Sequence, residues 1–227
     1  MFKKLYTRNI KSNLKNIFNR LILKYEINII SKKKLLNKSF TEFAILKDDQ
    51  TSTEIQRLGI YESIELNSIF DFLLKNKNLS TKDIALDIGA HIGNHSIYFS
   101  KYFKKVYSFE PNPKAFYLLK FNVSPFKKIK IFNYGLYNKK KKSKLYICKF
   151  NIGGSSIKYD EYNHRVEEKI YLRKLDDIKI NEKIGLIKID TERSEYEILK
   201  GSSKTIKKNK PIILFEQSIN EFKNGST

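Results

Sequence analysis

The chain has 227 residues, of which 41% are hydrophobic, and this is enough for one α/β domain with a complete core. It contains no run of about 18 apolar residues, so the sequence predicts no membrane-spanning helix. The basic start lacks the apolar core and cleavage site of a secretory signal, and the single cysteine, Cys148, excludes an internal disulfide. We therefore expect a cytoplasmic protein.

The formal net charge is +21, which favours a polyanionic partner such as a nucleic acid or an anionic membrane surface. The excess consists of 39 lysines and only 6 arginines, however, and specific phosphate recognition favours the arginine fork. An AT-rich genome, whose codons favour Lys, Ile and Asn, is an alternative explanation for the excess of lysine. We expect no specific nucleic-acid partner. The three histidines have no zinc-site spacing, so no metal is predicted either.

Residues 1–36 carry ten basic side chains and one acid, with apolar residues at near-helical spacing. This pattern predicts a basic amphipathic helix. The helix could make peripheral contact with an anionic membrane, but we favour packing on the core with a solvated lysine face. A second helix is predicted around Ser63 to Lys75. Residues 1–75 are thus predicted to form a basic helical extension, and 76–227 the main domain.

The segment from Ile84 to Phe99 predicts a buried strand, a glycine turn and the start of a helix. Its spacing is D-x-G-x-x-x-G, from Asp87 through Gly89 to Gly93, and not the dinucleotide pattern G-x-G-x-x-G. A carboxylate at this place would repel a pyrophosphate but attract a cation. Asp87 therefore suits S-adenosyl-L-methionine, which carries a sulfonium and an ammonium group.

A second acid follows at the distance expected for a nucleotide site. The strand from Val106 ends in Glu110, where a carboxylate is placed to accept hydrogen bonds from ribose hydroxyls. Pro111 and Pro113 end this strand and begin a helix, Lys114 to Asn122.

The remaining pattern alternates strands and helices. A third core strand is predicted over Ile129–Tyr137, and a charged turn follows over Lys139–Lys144. Two short strands, Lys144–Lys149 and Lys169–Arg173, are predicted to form a hairpin. Further core strands are predicted over Gly185–Asp190 and Pro211–Glu216, with a helix between them from Glu195 to Lys200. This order predicts a mostly parallel, doubly wound sheet with helices on both faces. Asp87, Glu110, Asp190 and Glu216 all fall at the carboxyl ends of strands, where such sheets bind ligands.

Three of these motifs resemble the FkbM-type methyltransferases. They are the loop D-x-G-A-x-x-G-N, the strand end F-E-P-N-P, and the segment from Ile187 to Gly201, I-K-I-D-x-E-x-x-E-x-x-x-L-K-G, which is the most diagnostic. The resemblance covers about Ile84 to Glu216. It implies a Rossmann-like methyltransferase fold that uses S-adenosyl-L-methionine to methylate hydroxyl groups, often on sugars. It thus predicts an O-methyltransferase for a saccharide or a similar small acceptor.

The resemblance also implies residue roles. Asp87 and the glycine loop should hold the methionine end of the cofactor and Glu110 the ribose, while Gly135 and Leu136 lie where adenine would stack. The predicted cofactor-binding set is Asp87, Gly89, His91, Gly93, Asn94, Glu110, Pro111, Asn112, Gly135, Leu136 and Asp190. The predicted catalytic set is Asp190, Glu192 and His91, with His95 as a further candidate for the proton acceptor. The histidines could instead only hydrogen-bond to neighbours, and the Asn151–Ser156 loop is expected near the acceptor or the cofactor.

Two departures from the family pattern stand out. The family motif reads D-x-E-G, but Arg193 replaces its glycine, and glycine often permits positive φ at such a turn. The chain ends eleven residues after Glu216, where this fold usually continues with two more strands. We therefore expect missing C-terminal strands, in a fragment or a truncated product, or a sheet edge covered by dimerisation.

Three rival functions remain at this point. An RNA methyltransferase would use the same cofactor loop and the basic surface, but no N/D-P-P-[YF] motif for methylating base amines is present. A catalytically inactive cofactor-binding scaffold is compatible with Arg193. A nicotinamide dehydrogenase is the weakest rival because of Asp87.

Overall fold

A computed structural model describes residues 27–31, 42–46, 49–76, 79–148, 152–159 and 164–215. The chain divides into two compact units, Met1–Tyr61 and Glu62–Thr227. Helix Ser63–Lys75 is found as predicted and falls within the second of these units, while the predicted division at residue 75 stays a prediction. In the described ranges no helix is both long enough and apolar enough to cross a membrane.

The first unit contains a two-stranded sheet and a helix. Strand β1, Ile27–Ser31, pairs antiparallel with β2, Glu42–Leu46, and helix α1 covers Gln50–Leu58. The prediction of one basic helix over 1–36 is therefore wrong for β1, because its β-branched isoleucines pair with the apolar strand β2. The rest of that predicted helix lies outside the described residues. Helix α1 is capped by Asp49, whose carboxylate accepts from the Ser52 amide at 3.0 Å.

The second unit is built on a five-stranded parallel sheet with the order β10-β9-β3-β4-β5. The elements are α2 Ser63–Lys75, β3 Ile84–Ile88, α3 Asn94–Phe99, β4 Lys105–Phe109, α4 Pro113–Val123, β5 Ile129–Phe132, β6 Gly135–Leu136, β7 Lys141–Cys148, β8 His164–Arg173, β9 Ile184–Ile189, α5 Glu195–Gly201, α6 Ser203–Asn209 and β10 Ile212–Phe215. The α/β fold class with a parallel sheet is confirmed. Glu216 lies outside the described residues.

Strand β3 has β4 on one side and β9 on the other, so the strand order reverses beside it. In open parallel sheets the crevice at the carboxyl ends of the strands next to such a reversal is the usual ligand site. The apolar residues of β3 and β9 pack with Phe109, Leu136 and Ile198 in one buried cluster. This core fixes the strand ends that carry the predicted acids.

The predicted third strand, Ile129–Tyr137, is wrong in its second half. Residues Ile129–Phe132 pair with β4, but the chain then leaves the main sheet. The Asn133 side-chain amide donates to the Glu110 carbonyl at 2.9 Å, and Gly135 and Leu136 pair with β8 in a second sheet. The alternation of the sequence continues through this point, so it does not reveal the change of sheet.

The predicted hairpin is confirmed and is longer than expected. Strands β7 and β8 pair antiparallel from Lys141 to Cys148, so β7 begins inside the predicted charged turn. One face is buried and consists of Leu145, Ile147, Ile170 and Leu172. His164, expected in a polar loop, begins β8.

Gly201, at the end of α5, allows a close contact between the helix and the segment before β7. A Cβ on Gly201 would lie 2.0 Å from the Tyr137 carbonyl oxygen. We expect Gly201→Ala to lower the free energy of unfolding by about 1–3 kcal/mol, because overpacking outweighs the better helix propensity of alanine. Urea denaturation measures this, with Ser203→Ala at the exposed start of α6 as a control. An unchanged or more stable Gly201→Ala protein would contradict the close contact.

Candidate active site

A polar row crosses three adjacent strands below the carboxyl end of the sheet. Asp87 of β3 is the register partner of Ser108 on β4 and of Lys188 on β9. Register partners in a sheet present their side chains on the same face. All three side chains are buried.

Lys188 is the cation of this row. Its Nζ lies 2.8 Å from Asp190 Oδ2 and 3.5 Å from Asp87 Oδ1. Burial by itself lowers the pKa of a lysine, but the carboxylates of Asp190 and Asp87 together outweigh it and raise the pKa of Lys188 above its usual range. The site therefore contains a permanent buried positive charge between two carboxylates.

Asp87 lies beneath the glycine loop and is 0% exposed. Its Oδ2 accepts from Ser96 Oγ of α3 at 2.5 Å, and Ser96 Oγ is in turn 2.8 Å from Ser108 Oγ. The described partners of this carboxylate are thus protein groups. This placement makes Asp87 the anchor of α3 and the counter-charge of Lys188, while its predicted contact with the methionine end stays a prediction.

Glu110 is buried at the end of β4 and binds the backbone on both sides of the crevice. Its Oε2 accepts from the His91 amide at 2.8 Å, and its Oε1 accepts from the Asn112 amide at 2.7 Å. Burial raises the pKa of Glu110 to about 7, although these two backbone hydrogen bonds act in the opposite direction. Glu110 therefore fixes the glycine loop and titrates near neutral pH.

The glycine loop needs its special residues. Gly89 has φ +80°, and a Cβ there would lie 1.8 Å from the Asp190 carbonyl oxygen. Gly93 has φ +97° and is the N-cap residue directly before α3, while His91 adopts a positive φ of 48° without being glycine. The Asn122 side-chain amide of α4 donates to the Ile92 carbonyl at 2.8 Å and holds the loop from the other side. The loop is thus rigidly fitted against the segment after β9.

The segment after β9 carries two of the predicted catalytic residues. The Asp190 amide donates to the Ile88 carbonyl at 3.0 Å, so Asp190 sits directly beside the glycine loop. Glu192 is exposed. Arg193 has φ 64°, which confirms the expectation that this turn requires the conformation glycine favours.

The other predicted cofactor residues occupy several environments. Asn94 begins α3 and is 8% exposed; Asn112 is 2% exposed and accepts from the Lys114 amide at 3.0 Å as the cap of α4. Among the described residues, the buried Asn112 Nδ2 has no hydrogen-bond acceptor. Leu136 is 3% exposed and packs in the core, while Gly135 lies against Pro111 and Leu172. An adenine contact by Gly135 and Leu136 stays a prediction.

The model of the FkbM methyltransferase domain matches residues 87–226, which is more than half of the chain. This chain belongs to the FkbM methyltransferase family. The methyl donor of this enzyme class is S-adenosyl-L-methionine, and the predicted family resemblance is confirmed.

Several solved structures are similar to this FkbM chain at low identity. The methyltransferase FkbM from Methylobacillus flagellatus KT is 21% identical with a TM-score of 0.45, and the match covers 60% of this chain and 33% of that one. A precorrin-6y C5,15-methyltransferase from Geobacter metallireducens GS-15 is 13% identical with a TM-score of 0.41, covering 87% and 72%. An rRNA methylase from Streptococcus thermophilus is 14% identical with a TM-score of 0.40, covering 68% and 72%. This chain thus spans about a third of the length of the first of these.

No curated protein matches this FkbM sequence significantly. In the parts of the chain that the structure describes, no three His, Cys, Asp or Glu side chains come together as a metal site.

Two functional residues of this FkbM chain were missed by the sequence reasoning. Lys188 stands in an otherwise apolar strand, and a lysine is almost never fully buried unless it is paired, so its position was a usable signal. Glu62 gave no such signal. Its Oε2 lies 3.1 Å from His95 Nε2, this hydrogen bond lowers the pKa of Glu62, and the charges of Lys188 and Asp190 also act on it. Glu62 adopts φ 55° at the start of α2.

Removal of the buried cation should be costly. We expect Lys188→Met to lower the free energy of unfolding by about 3–5 kcal/mol, because it leaves Asp87 buried without a counter-charge. The double variant Lys188→Met/Asp87→Asn should lose less than the sum of the two single losses. Urea denaturation of the four proteins measures this coupling, and strictly additive losses would show that the two side chains do not interact.

Arg193 offers a test of stored backbone strain. A non-glycine residue in the left-handed region costs about 1–2 kcal/mol of stability. Glycine avoids this strain, but its unfolded chain has more conformational freedom, and the loss of that entropy on folding costs about 0.4–1 kcal/mol. Arg193→Gly should therefore raise the free energy of unfolding by up to about 1 kcal/mol. Arg193→Ala removes the same side chain but keeps the strain, so it should give no gain. Equal stabilisation by both variants in thermal unfolding would assign the effect to the side chain.

Proposed function

We propose that this chain is an S-adenosyl-L-methionine-dependent O-methyltransferase that methylates a hydroxyl group of a saccharide or a similar small acceptor. Family membership supports the methyl transfer and the cofactor. The hydroxyl acceptor follows from the family resemblance and from the chemistry of the rim described below.

The observation that carries this proposal is the charge at the carboxyl end of the sheet. The chain has a net charge of +21, yet this rim brings together the carboxylates of Glu62, Asp87, Glu110 and Asp190 around the ammonium of Lys188, with His95 beside Glu62. Such a rim attracts a cationic ligand and disfavours a pyrophosphate. S-adenosyl-L-methionine is a cation of this kind, and the site fits it.

Residues around the loop supply the remaining contacts. Each oxygen of the Glu110 carboxylate accepts one backbone amide, and an ionised carboxylate has about four acceptor positions. Two positions are left for the ribose hydroxyls. The Nδ2 of Asn112, which has no acceptor in the part of the chain that the structure describes, supplies a donor close by once the loop admits the ligand. At Gly89 and Gly93 the Asp190 carbonyl and the Leu119 side chain fill the space of a Cβ, so these glycines serve the close packing that shapes the loop.

S-adenosyl-L-methionine supplies an electrophilic methyl group on a positively charged sulfur. The chain has to hold the acceptor oxygen in line with that methyl, and well-aligned reactants gain most of their rate from this placement. The acceptor hydroxyl loses its proton in the process, so a base helps. Asp190 is a weak candidate, because Lys188 stabilises its charged form at 2.8 Å. We assign Asp190 to orientation and leave Glu192 or His91 as the proton acceptor.

The raised pKa of Glu110 gives this proposal a pH test. The ionised carboxylate can accept hydrogen bonds from both ribose hydroxyls, whereas in the protonated form one oxygen carries the proton and is a poorer acceptor. The affinity for S-adenosyl-L-methionine should therefore rise by about tenfold between about pH 6 and pH 8 and then level off, with a proton released on binding. In the free protein the sign is opposite: the contribution of Glu110 to stability is fully present below about pH 4.5 and is lost as the pH rises through about 7.

Isothermal titration calorimetry in two buffers of different ionisation enthalpy measures both the affinity and the released proton. Glu110→Gln should bind weakly and without this pH dependence. The matched control is Glu182→Gln, because Glu182 also accepts hydrogen bonds, from Lys105 and Tyr107 of β4, but lies at the opposite end of the sheet. A folded wild type that binds no S-adenosyl-L-methionine would overturn the proposed function. Salt-sensitive binding of RNA with methylation of it would favour the RNA methyltransferase instead.

A further inference from the structure

We propose that Tyr146 and Tyr159 form a stacking subsite for a neutral sugar ring of the acceptor, next to the segment after β9. The inference rests on the proposed function, because it names the acceptor subsite of that reaction. It is carried by an aromatic pair, by the bond that ties this pair to the catalytic segment, and by the charges around it.

Ser156 connects the aromatic pair to the site. Its backbone forms two hydrogen bonds with Tyr146, at 2.8 and 3.0 Å, and its Oγ donates to the Glu192 carbonyl at 2.8 Å. Ser156 is only 2% exposed, so this connection is shielded from water. Ser156 therefore links Tyr146 directly to the segment that carries Asp190 and Glu192.

The second sheet is fastened to α5 at two further points. The Asn138 side-chain amide donates to the Glu197 carboxylate, and Gly201 lets α5 approach the Tyr137 carbonyl. Together with Ser156, these contacts hold the sheet in a fixed position beside the carboxyl end of β9. A ligand that lies on Tyr146 is therefore held at a defined place relative to the proposed catalytic segment.

Tyr159 is the exposed ring of this pair, and Tyr146 packs against it. Their centroids are 5.1 Å apart at an interplanar angle of 66°, an edge-to-face contact that restrains both rings. Tyr159 is nevertheless 61% exposed. A pyranose has an apolar C–H face that packs on such a ring, while its hydroxyls remain free to bind neighbouring polar groups.

The surrounding charges favour a neutral sugar over a nucleic acid. Glu167 is the cross-strand partner of Tyr146 and is paired with Lys144 at 2.7 Å, so the pair carries no net charge. The segment that Ser156 binds through the Glu192 carbonyl carries a further acidic residue in Glu192 itself. Carboxylates accept hydrogen bonds from sugar hydroxyls but repel phosphates. By contrast, Tyr171 faces Lys142 and is 60% exposed at the far end of the hairpin, so it provides an equally exposed ring in a basic setting.

The test is saturation-transfer NMR of the full chain with maltose, cellobiose and lactose, in the presence of S-adenosylhomocysteine. We expect Tyr159→Ala to weaken disaccharide binding by about tenfold, since one stacked ring is lost. Tyr171→Ala removes a ring of the same exposure outside the subsite and should leave the binding unchanged. The affinity for S-adenosylhomocysteine should be the same in all three proteins, which also shows that they are folded.

The outcomes separate the subsite from the proposed function. If the wild type does not bind S-adenosylhomocysteine, the proposed function fails first. If it does, and disaccharides bind equally to Tyr159→Ala or do not bind the wild type at all, the subsite is overturned. Tighter binding of a single-stranded oligouridine that is lost in Tyr159→Ala would assign the aromatic pair to RNA and also overturn it.

Discussion

The buried ion pairs of Lys188 are the constraint on which the rest of the site depends. Because Lys188, Asp87 and Ser108 are register partners, a slip of one residue in β9 would turn the Lys188 ammonium into the opposite apolar layer, and a slip in β4 would do the same to the Ser108 hydroxyl. An unpaired charge there costs several kcal/mol, far more than any single apolar contact. The ion pairs therefore fix the strand register, and the register places Gly89 against the Asp190 carbonyl.

The local charge at the site is negative, whereas the net charge of the whole chain is positive. A ligand in the site is influenced mainly by the charges that lie within a Debye length of it. At physiological ionic strength the Debye length is about 8 Å, so the surface lysines act weakly inside the crevice. Glu62, Glu110 and Asp190 lie within the site and are screened much less. A cation is thus favoured at the rim even though the chain carries +21. The global charge influences encounter and solubility, and not the choice of cofactor.

Most core elements followed from the sequence, because their signals are local. The apolar run before Asp87 and the prolines around Asn112 mark their strand and helix directly. The split of Ile129–Tyr137 could not be predicted, because it depends on the distant β8 strand and on the bond from Asn133 to Glu110. For the same reason the α-helical pattern over 1–36 missed β1, whose partner begins eleven residues later at Glu42.

The site shows the same division. The acids at strand ends and the strained turn at Arg193 were predictable from spacing and from the motif. Ser96, Ser108 and Glu62 were not, because each acquires its role only when separate elements meet around Asp87 and His95. Sequence spacing identifies which residues reach the rim, but not which of them are already engaged by the protein.

The ion pair between Asp190 and Lys188 affects the chemistry of the proposed reaction. Asp190 holds the position that sequence reasoning assigns to a base, yet Lys188 stabilises its charged form, so it has little tendency to take a proton. A carboxylate held in this way is better suited to orienting a cationic or hydroxylated ligand. Methyl transfer tolerates this arrangement, because the leaving group is neutral and the acceptor becomes strongly acidic as the new bond forms. Alignment, which the fixed register and the rigid loop supply, then contributes more than basicity does.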